Sequence, residues 1–149
     1  MLGRYFANTP GGAAGLGLLI VRLVFGFAMM LHGYPKIQNP FHWADRMGIP
    51  GPLQALAALA EAGGGLAIAL GLLTPLAALG WIATMGVAIF QLAKMGAKFV
   101  VNPPAEGPAL EPAAGYLAVA ILLLLVGPGK FSFDALLFGG KGGKVKAGR

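Results

Sequence analysis

The sequence predicts an all-α integral membrane protein built as a four-helix bundle. Hydrophobic residues make up 57% of its 149 residues and charged residues only 11%, whereas a soluble domain of this size needs far more charge to cover its surface. The mean hydropathy is +0.76. Apolar runs recur at close to the roughly 20 residues that a membrane-spanning helix requires. Nearly the whole chain is therefore expected to be membrane span or short connector.

Four segments are predicted to cross the bilayer: residues 14–33, 53–73, 76–95 and 112–127. Pro35 and Pro40 are expected to end the first span. Pro75 is expected to open the third, because proline favours the first position of a helix. The fourth stops at the turn that begins with Gly127.

These spans are expected to form one domain with short ends. We predict an N-terminal cytoplasmic segment at residues 1–13, the helical membrane domain at residues 14–138 and a disordered basic tail at residues 139–149. The first apolar run does not resemble a signal peptide, because Arg22 interrupts it and no A-x-A-like site follows. It is therefore expected to remain in the mature protein.

Both termini are predicted to lie in the cytoplasm. Four spans place both ends on one side, and positive charge favours the cytoplasmic side. The terminal side carries Arg4, Lys130, Lys141, Lys144, Lys146 and Arg149, and the opposite side carries Lys36, Arg46, Lys94 and Lys98. The tail lacks interleaved aromatic residues, so we expect membrane lipid as its partner and no nucleic acid.

The residue composition argues against most resident cofactors. The absence of cysteine excludes a persulfide, a thiolate-bound iron–sulfur cluster and c-type haem. His32 and His42 are too close in sequence to bind haem from facing helices, and no H-E-x-x-H pattern occurs. We therefore expect no covalently bound cofactor and no metal.

One cation and one anion are predicted to meet inside the bilayer. Counting 1.5 Å per residue places Arg22 about 12 Å and Glu61 about 18 Å from the same membrane edge. An isolated charge at this depth costs at least about 2.5–3.5 kcal/mol. We therefore predict an Arg22–Glu61 ion pair. Small neighbours, Gly26, Gly64 and Gly65, are expected to let the two helices approach closely.

The predicted pair has two interpretations. It acts as a buried clamp that fixes the register of the first two helices. Alternatively it acts as a proton relay or a headgroup ligand, since ionisable residues inside a membrane often serve function. The sequence leaves both open.

Four stretches carry a resemblance to a known family: RLVFGFAMMLHGYPKI, EAGGGLAIALGLLTPLAAL, KMGAKFVVN and GPGKFSFD. In their order and spacing, over about residues 16–134, the chain resembles the DoxX family of small four-helix membrane proteins. The resemblance implies a multi-pass protein of the bacterial plasma (inner) membrane with redox associations. Relatives include the membrane subunit of a thiosulfate:quinone oxidoreductase and a mycobacterial member that assembles with superoxide dismutase and a sulfurtransferase. Other subunits of a membrane complex, or a second copy, are therefore expected partners.

A polar rim is predicted at the outer ends of the spans. His32, Lys94 and Glu111 are the candidates for a quinone or small-anion site, because a quinone carbonyl needs a hydrogen-bond donor and a route for protons. The resemblance places His32 and Glu111 at recurring positions. Each residue also fits ordinary rim chemistry, in which lysines snorkel and an acid suits the first turn of a helix.

The stretch FSFDALLFGG follows the last span. Its phenylalanines and leucines are compatible with a segment that lies flat on the membrane, with Asp134 facing water. This arrangement would put an amphipathic segment beside the basic tail.

Three functions remain open from the sequence. We favour a quinone-linked redox subunit, as the resemblance suggests, in which electrons come from a partner or pass directly from substrate to quinone, since no flavin or nicotinamide fingerprint occurs. The alternative is a non-catalytic accessory or assembly subunit with glycine-rich docking faces. A small-molecule carrier is the third, although four helices are few for alternating access.

Overall fold

A computed structural model describes residues 9–101 and 107–139, and most of these residues lie in helices. In chain order the helices are α1 (Gly12–Gln38), α2 (Gly51–Leu70), α3 (Thr74–Lys94), α4 (Glu111–Val126) and α5 (Phe133–Phe138). Helices α1, α2 and α3 are each long and apolar enough to cross a bilayer, and α4 is an apolar helix of 16 residues. The predicted all-α membrane bundle is confirmed. Most of the predicted N-terminal segment and the basic tail lie outside the described residues.

The four long helices pack in sequence order, so that neighbours run in opposite directions. Helix α1 packs on α2, α2 on α3 and α3 on α4, whereas α1 and α4 have more distant backbones and meet through side chains such as Phe25 and Tyr116. We call the end with the start of α1 and the α2–α3 turn the terminal end, and the opposite end the loop end. At the terminal end the Lys130 N–H donates to Pro10 O at 2.8 Å. Which end faces the cytoplasm remains a prediction from charge.

The sequence predicts that Pro35 and Pro40 end the first span. Helix α1 instead continues past Pro35 to Gln38. Proline removes one N–H and disturbs the carbonyl one turn earlier. Pro35 is exposed, so its ring disturbs no contact between helices, and a backbone in an apolar environment gains by staying hydrogen-bonded to itself. The extra turn carries Lys36 into contact with α2.

Glycines bring the backbones of α1 and α2 into direct contact. A Cβ atom on Gly26 would lie 2.6 Å from Ala69 N and 2.8 Å from Gly65 O, and one on Gly33 would collide with the backbone at Ala62. Such contacts are typical of helix pairs in lipid. The hydrophobic effect does not drive helices together there, so association depends on the close packing that small residues allow. Gly64 instead lies against the Trp81 ring of α3, so it does not belong to the α1–α2 contact.

Aromatic side chains join the other helices in the centre of the bundle. Trp81 of α3 is fully buried and donates its Nε1–H to Ala60 O of α2 at 3.1 Å. The ring of Tyr116 on α4 lies edge-on to Trp81 at 5.7 Å and to Phe25 of α1 at 5.5 Å. Edge-to-face pairs stabilise beyond their buried area, and here they connect three helices.

Substituting Gly26 tests the backbone contact. In Gly26→Ala the added methyl meets the backbone of Ala69, and overpacking of this kind costs about 1–3 kcal/mol. Gly17→Ala on the same helix is the matched control, because nothing lies within 4 Å of its Cβ position. It should be neutral or stabilising by about 0.5–1 kcal/mol. Unfolding in mixed micelles measures both; equal stabilities for the two variants would contradict the contact.

Candidate functional site

The buried acid Glu61 forms an ion pair with Lys36. The Lys36 ammonium lies 2.7 Å and 2.6 Å from the two carboxylate oxygens. Glu61 is 4% exposed, whereas the Lys36 side chain is 25% exposed. The same ammonium lies 4.3 Å from the ring centroid of Trp43, which adds a cation–π attraction. One face of the cation is therefore neutralised and another is covered by an aromatic ring.

The predicted Arg22–Glu61 pair does not form. The depth count placed residue 14 level with residue 73, and hence Arg22 level with Gly65. The glycine contacts instead place Gly26 between Gly65 and Ala69, which puts Arg22 level with Gly71. The register is thus shifted by six residues, or about 9 Å. This shift is the physical reason for the change of partner.

Arg22 is fully buried at the terminal end of the bundle. Its Nη2 donates to Phe131 O, and its guanidinium packs so closely on Gly71 that no side chain would fit there. The carboxylate of Asp134 is near enough to interact electrostatically with the Arg22 guanidinium. Among the described residues, its Nε and Nη1 have no hydrogen-bond partner. Position 71 requires glycine for two reasons. Its φ of 67° disfavours other residues, and the Arg22 guanidinium leaves no room for a side chain.

Asp134 caps the start of α3 from a distance of 60 residues along the chain. Its carboxylate accepts hydrogen bonds from the N–H groups of Leu73 and Thr74, both at 2.8 Å. The first N–H groups of a helix lack partners within it and attract negative charge. Asp134 is fully buried, so the expectation that it faces water is wrong. The helix terminus and Arg22 together stabilise its charge.

Gln54 holds the α1–α2 connection in place at the loop end. Its side chain is fully buried, accepts from Ala44 N at 2.7 Å and donates to Asp45 Oδ1 at 2.9 Å and Ile49 O at 2.8 Å. Its backbone oxygen accepts from Trp43 Nε1 at 3.0 Å. The hydrogen bond from Gln54 lowers the pKa of the Asp45 carboxyl. These bonds fix the indole over Lys36.

An apolar groove of about 750 Å³ runs between α2 and α3. Its apolar walls include Leu53, Leu56, Leu76, Ala83 and Val87. Lys36, Trp43 and Glu61 contribute its main polar chemistry toward the loop end. This volume lies within the roughly 300–1,000 Å³ of small-molecule sites, which are mostly apolar with a few placed polar groups.

The predicted rim residues do not form a joined cluster. His32 lies edge-on to the Tyr116 ring at 5.9 Å, and Lys94 Nζ lies 4.5 Å from the Phe90 ring. Glu111 is exposed at the start of α4. No hydrogen bond or ion pair between described residues joins any two of His32, Lys94 and Glu111, and none of them lines the groove.

No group of three histidine, aspartate or glutamate side chains that could hold a metal ion occurs within residues 9–101 and 107–139. The polar groups that line the groove include the Lys36 ammonium, the Glu61 carboxylate and the Trp43 indole, together with the side chains of Thr84 and Gln91. These groups suit a ligand that accepts a hydrogen bond and has a flat ring.

Comparison with known proteins decides the family. The DoxX family model matches residues 17–94, which contain α1, α2 and α3 almost entirely. The chain belongs to the DoxX family. Inner membrane protein YqjF of Escherichia coli K12 is 32% identical over 127 residues, which cover 82% of this chain and 92% of the relative. No solved structure matches significantly.

Membership of the DoxX family, together with three apolar helices of spanning length, makes this chain a multi-pass bacterial membrane protein. The Lys36–Glu61 pair and the walls of the groove formed by α2 and α3 lie inside the matched segment. Helices α4 and α5 lie outside it.

The Lys36–Glu61 pair is testable by a double-mutant cycle. Lys36→Met leaves the buried Glu61 carboxylate without its partner and should destabilise the protein by about 3 kcal/mol. Lys36→Met with Glu61→Leu removes both charges and should recover most of that loss. The measurement is the free energy of unfolding in mixed micelles.

A second cycle serves as the matched control. The effects of Arg22→Met and Glu61→Gln on the free energy of unfolding should add within about 0.5 kcal/mol, because the two residues share no contact. Strong coupling in this cycle, together with additivity in the Lys36 cycle, would contradict the Lys36–Glu61 pair and support the Arg22–Glu61 pair predicted from the sequence.

Truncating Asp134 tests the cap of α3. Asp134→Ala leaves two helix N–H groups without their charged acceptor, and each such bond contributes about 1.5–3 kcal/mol. Asp134→Asn keeps one acceptor oxygen and should lose roughly half as much. Thermal unfolding measures the order of stability of the parent protein and the two variants. An alanine variant as stable as the parent protein would show that the cap is not formed.

Proposed function

We propose that this protein binds a membrane quinone in the α2–α3 groove and works as a quinone-linked redox subunit of a complex in the bacterial inner membrane. One observation carries the proposal: an apolar groove between two apolar helices of spanning length meets a charged pair that lies against an indole ring. Family membership supports the location, since the relative from Escherichia coli is named an inner membrane protein.

The polar end of the groove suits a quinone ring. An ammonium has three N–H donors, and two of those of Lys36 point at the Glu61 oxygens. The Lys36 side chain is 25% exposed, so in the proposed complex a carbonyl oxygen of the ligand approaches the exposed part of this ammonium. The Trp43 indole lies beside it and offers a flat face for ring stacking.

The apolar length of the groove suits an isoprenoid tail. Its walls run from Met47 and Met95 at the loop end to Leu73 and Leu76 at the terminal end. A tail that leaves the headgroup at Lys36 would lie along α2 and α3 and replace lipid there. The groove walls would gain apolar contact in proportion to the area covered.

The redox step needs an external donor of electrons, because the chain contains no cysteine and carries no cofactor fingerprint. We propose thiosulfate or a partner subunit as that donor. With thiosulfate, two ions form the sulfur–sulfur bond of tetrathionate and release two electrons. These electrons, with two protons, convert the quinone to the quinol.

Filling the groove tests the proposal. Purified protein in nanodiscs is titrated with decylubiquinone, and binding is followed by quenching of tryptophan fluorescence. Ala83→Trp places an indole in the groove and should weaken binding at least about tenfold. Lys36→Met should weaken it by about tenfold through loss of one charged hydrogen bond.

The matched control is Ala118→Trp, an exposed position of α4 outside the groove. It should leave the affinity unchanged. Equal affinities for all four proteins would contradict quinone binding at this groove. Thiosulfate-dependent reduction of decylubiquinone by the purified protein then tests the donor separately.

An accessory role is the second candidate, and the exposed Gly17 of α1 favours it. Nothing lies within 4 Å of its Cβ position, so a small residue is available there for the close approach of a helix from another subunit. No turnover by the purified protein, together with copurification of a larger complex, would support this role over an autonomous enzyme.

A further inference from the structure

Thr84 of α3 contributes a hydroxyl group to the wall of the α2–α3 groove. Among the described residues that line the groove, it is the only one with a hydroxyl. The other α3 residues of that wall are apolar apart from Gln91, which lies about two turns further toward the loop end. The α3 wall therefore carries one neutral polar group at the depth of Thr84.

This hydroxyl lies at about the same depth as the Lys36–Glu61 pair. Ala60 of α2 and Gly80 of α3 share one level, because a Cβ atom on Gly80 would lie 3.3 Å from the Ala60 Cβ. Thr84 follows Gly80 by about one turn, or about 6 Å, toward the loop end. Glu61 follows Ala60 directly, and its side chain leans toward the start of α2, which also lies at the loop end. The charged pair and the hydroxyl thus approach one level from two walls of the groove.

The Thr84 hydroxyl is available to a ligand at little cost. It donates to Gly80 O at 2.9 Å and lies 3.2 Å from Trp81 O. In an α-helix Gly80 O also accepts the backbone N–H of Thr84, so this carbonyl keeps a partner when the hydroxyl hydrogen turns away. A hydroxyl hydrogen rotates to suit its acceptor. It therefore offers one hydrogen bond to an acceptor in the groove.

A quinone ring needs hydrogen-bond donors on two sides. The two carbonyl oxygens of a para-quinone point away from opposite sides of the ring, and in the proposed complex the Lys36 ammonium binds one of them. The other faces α3, where the side chains of Ala83 and Val87 on the groove wall offer no donor. An acceptor buried without a partner costs free energy. The Thr84 hydroxyl is the group on this wall that satisfies it.

We propose that Thr84 is the second hydrogen-bond donor of the quinone site and that it makes the groove selective for para-quinones. This inference rests on the proposed function, since it names the residue that binds the second carbonyl of the same ligand. The Thr84 hydroxyl donates to the carbonyl opposite the one at Lys36, and the ring lies between the α2 and α3 walls. A ligand with a single carbonyl lacks this bond.

Two ligands and two substitutions separate this bond from other contacts. Purified protein in nanodiscs is titrated with 2-decyl-1,4-naphthoquinone, which has two para carbonyls, and binding is followed by quenching of tryptophan fluorescence. The matched ligand is 2-decylchromone, in which a ring ether oxygen replaces one carbonyl group. Its affinity is measured by competition with the naphthoquinone. Thr84→Val removes the hydroxyl and keeps the shape of the side chain, whereas Thr84→Ser keeps the hydroxyl.

Thr84→Val should weaken binding of the naphthoquinone about three- to tenfold, as expected for the loss of one neutral hydrogen bond. It should leave the affinity for the chromone unchanged, because the single carbonyl stays with the charged and therefore stronger donor, Lys36. Thr84→Ser should bind both ligands like the parent protein. Thr74→Val is the matched control, because Thr74 is buried on α3 outside the groove lining, and it should change neither affinity.

Two results would overturn the inference while the groove still binds quinone. The first is an equal naphthoquinone affinity for the parent protein and Thr84→Val. The second is a loss in Thr84→Val that is the same for both ligands, since a change in groove shape would then be its cause. Absence of naphthoquinone binding by the parent protein, or binding that Ala83→Trp leaves unchanged, would instead contradict the proposed function and this inference with it.

Discussion

The backbone contact between α1 and α2 determines which charges meet inside this protein. Gly26 and Gly33 of α1 lie against the α2 backbone with no room for a side chain. In lipid, apolar side chains provide little drive for association, so this close approach is a principal source of affinity between the helices. It also fixes how far α1 is displaced along α2. The pairing of Lys36 with Glu61 and the position of Arg22 beside Gly71 follow from that displacement.

Arg22 and Glu61 are consequently stabilised in different ways. Glu61 forms an ion pair with Lys36, because α1 continues about one turn beyond Pro35 and places Lys36 beside it. Arg22 contacts the Phe131 carbonyl and lies near Asp134, because the segment Gly127–Phe138 folds back against the terminal end of the bundle. The first arrangement places a charged pair at the polar end of the groove. The second joins the segment Gly127–Phe138 to the α2–α3 turn at the terminal end.

The sequence predicts the spans because hydropathy is a local property, and the helix bounds fall within a few residues of the predicted ones except where α1 passes Pro35. It also indicates that Arg22 and Glu61 are buried charges. Their partners could not be predicted, because a six-residue shift between helices depends on which glycines touch. Gly33 was missed, although it lies within one turn of Lys36. The burial of Asp134 could not be predicted either, because a helix cap that comes from a distant segment leaves no local pattern in the sequence.

A direct measurement of the ion pair tests the account most sharply. Protein labelled with ¹⁵Nζ-lysine and ¹³Cδ-glutamate is reconstituted in bilayers, and rotational-echo double-resonance NMR detects nitrogen–carboxyl contacts at ion-pair distance. The account predicts strong dephasing that the Lys36→Met substitution removes. It predicts no dephasing of Glu61 when ¹⁵Nη-arginine replaces the labelled lysine. Dephasing from arginine, with none that depends on Lys36, would contradict the helix register and the groove chemistry built on it.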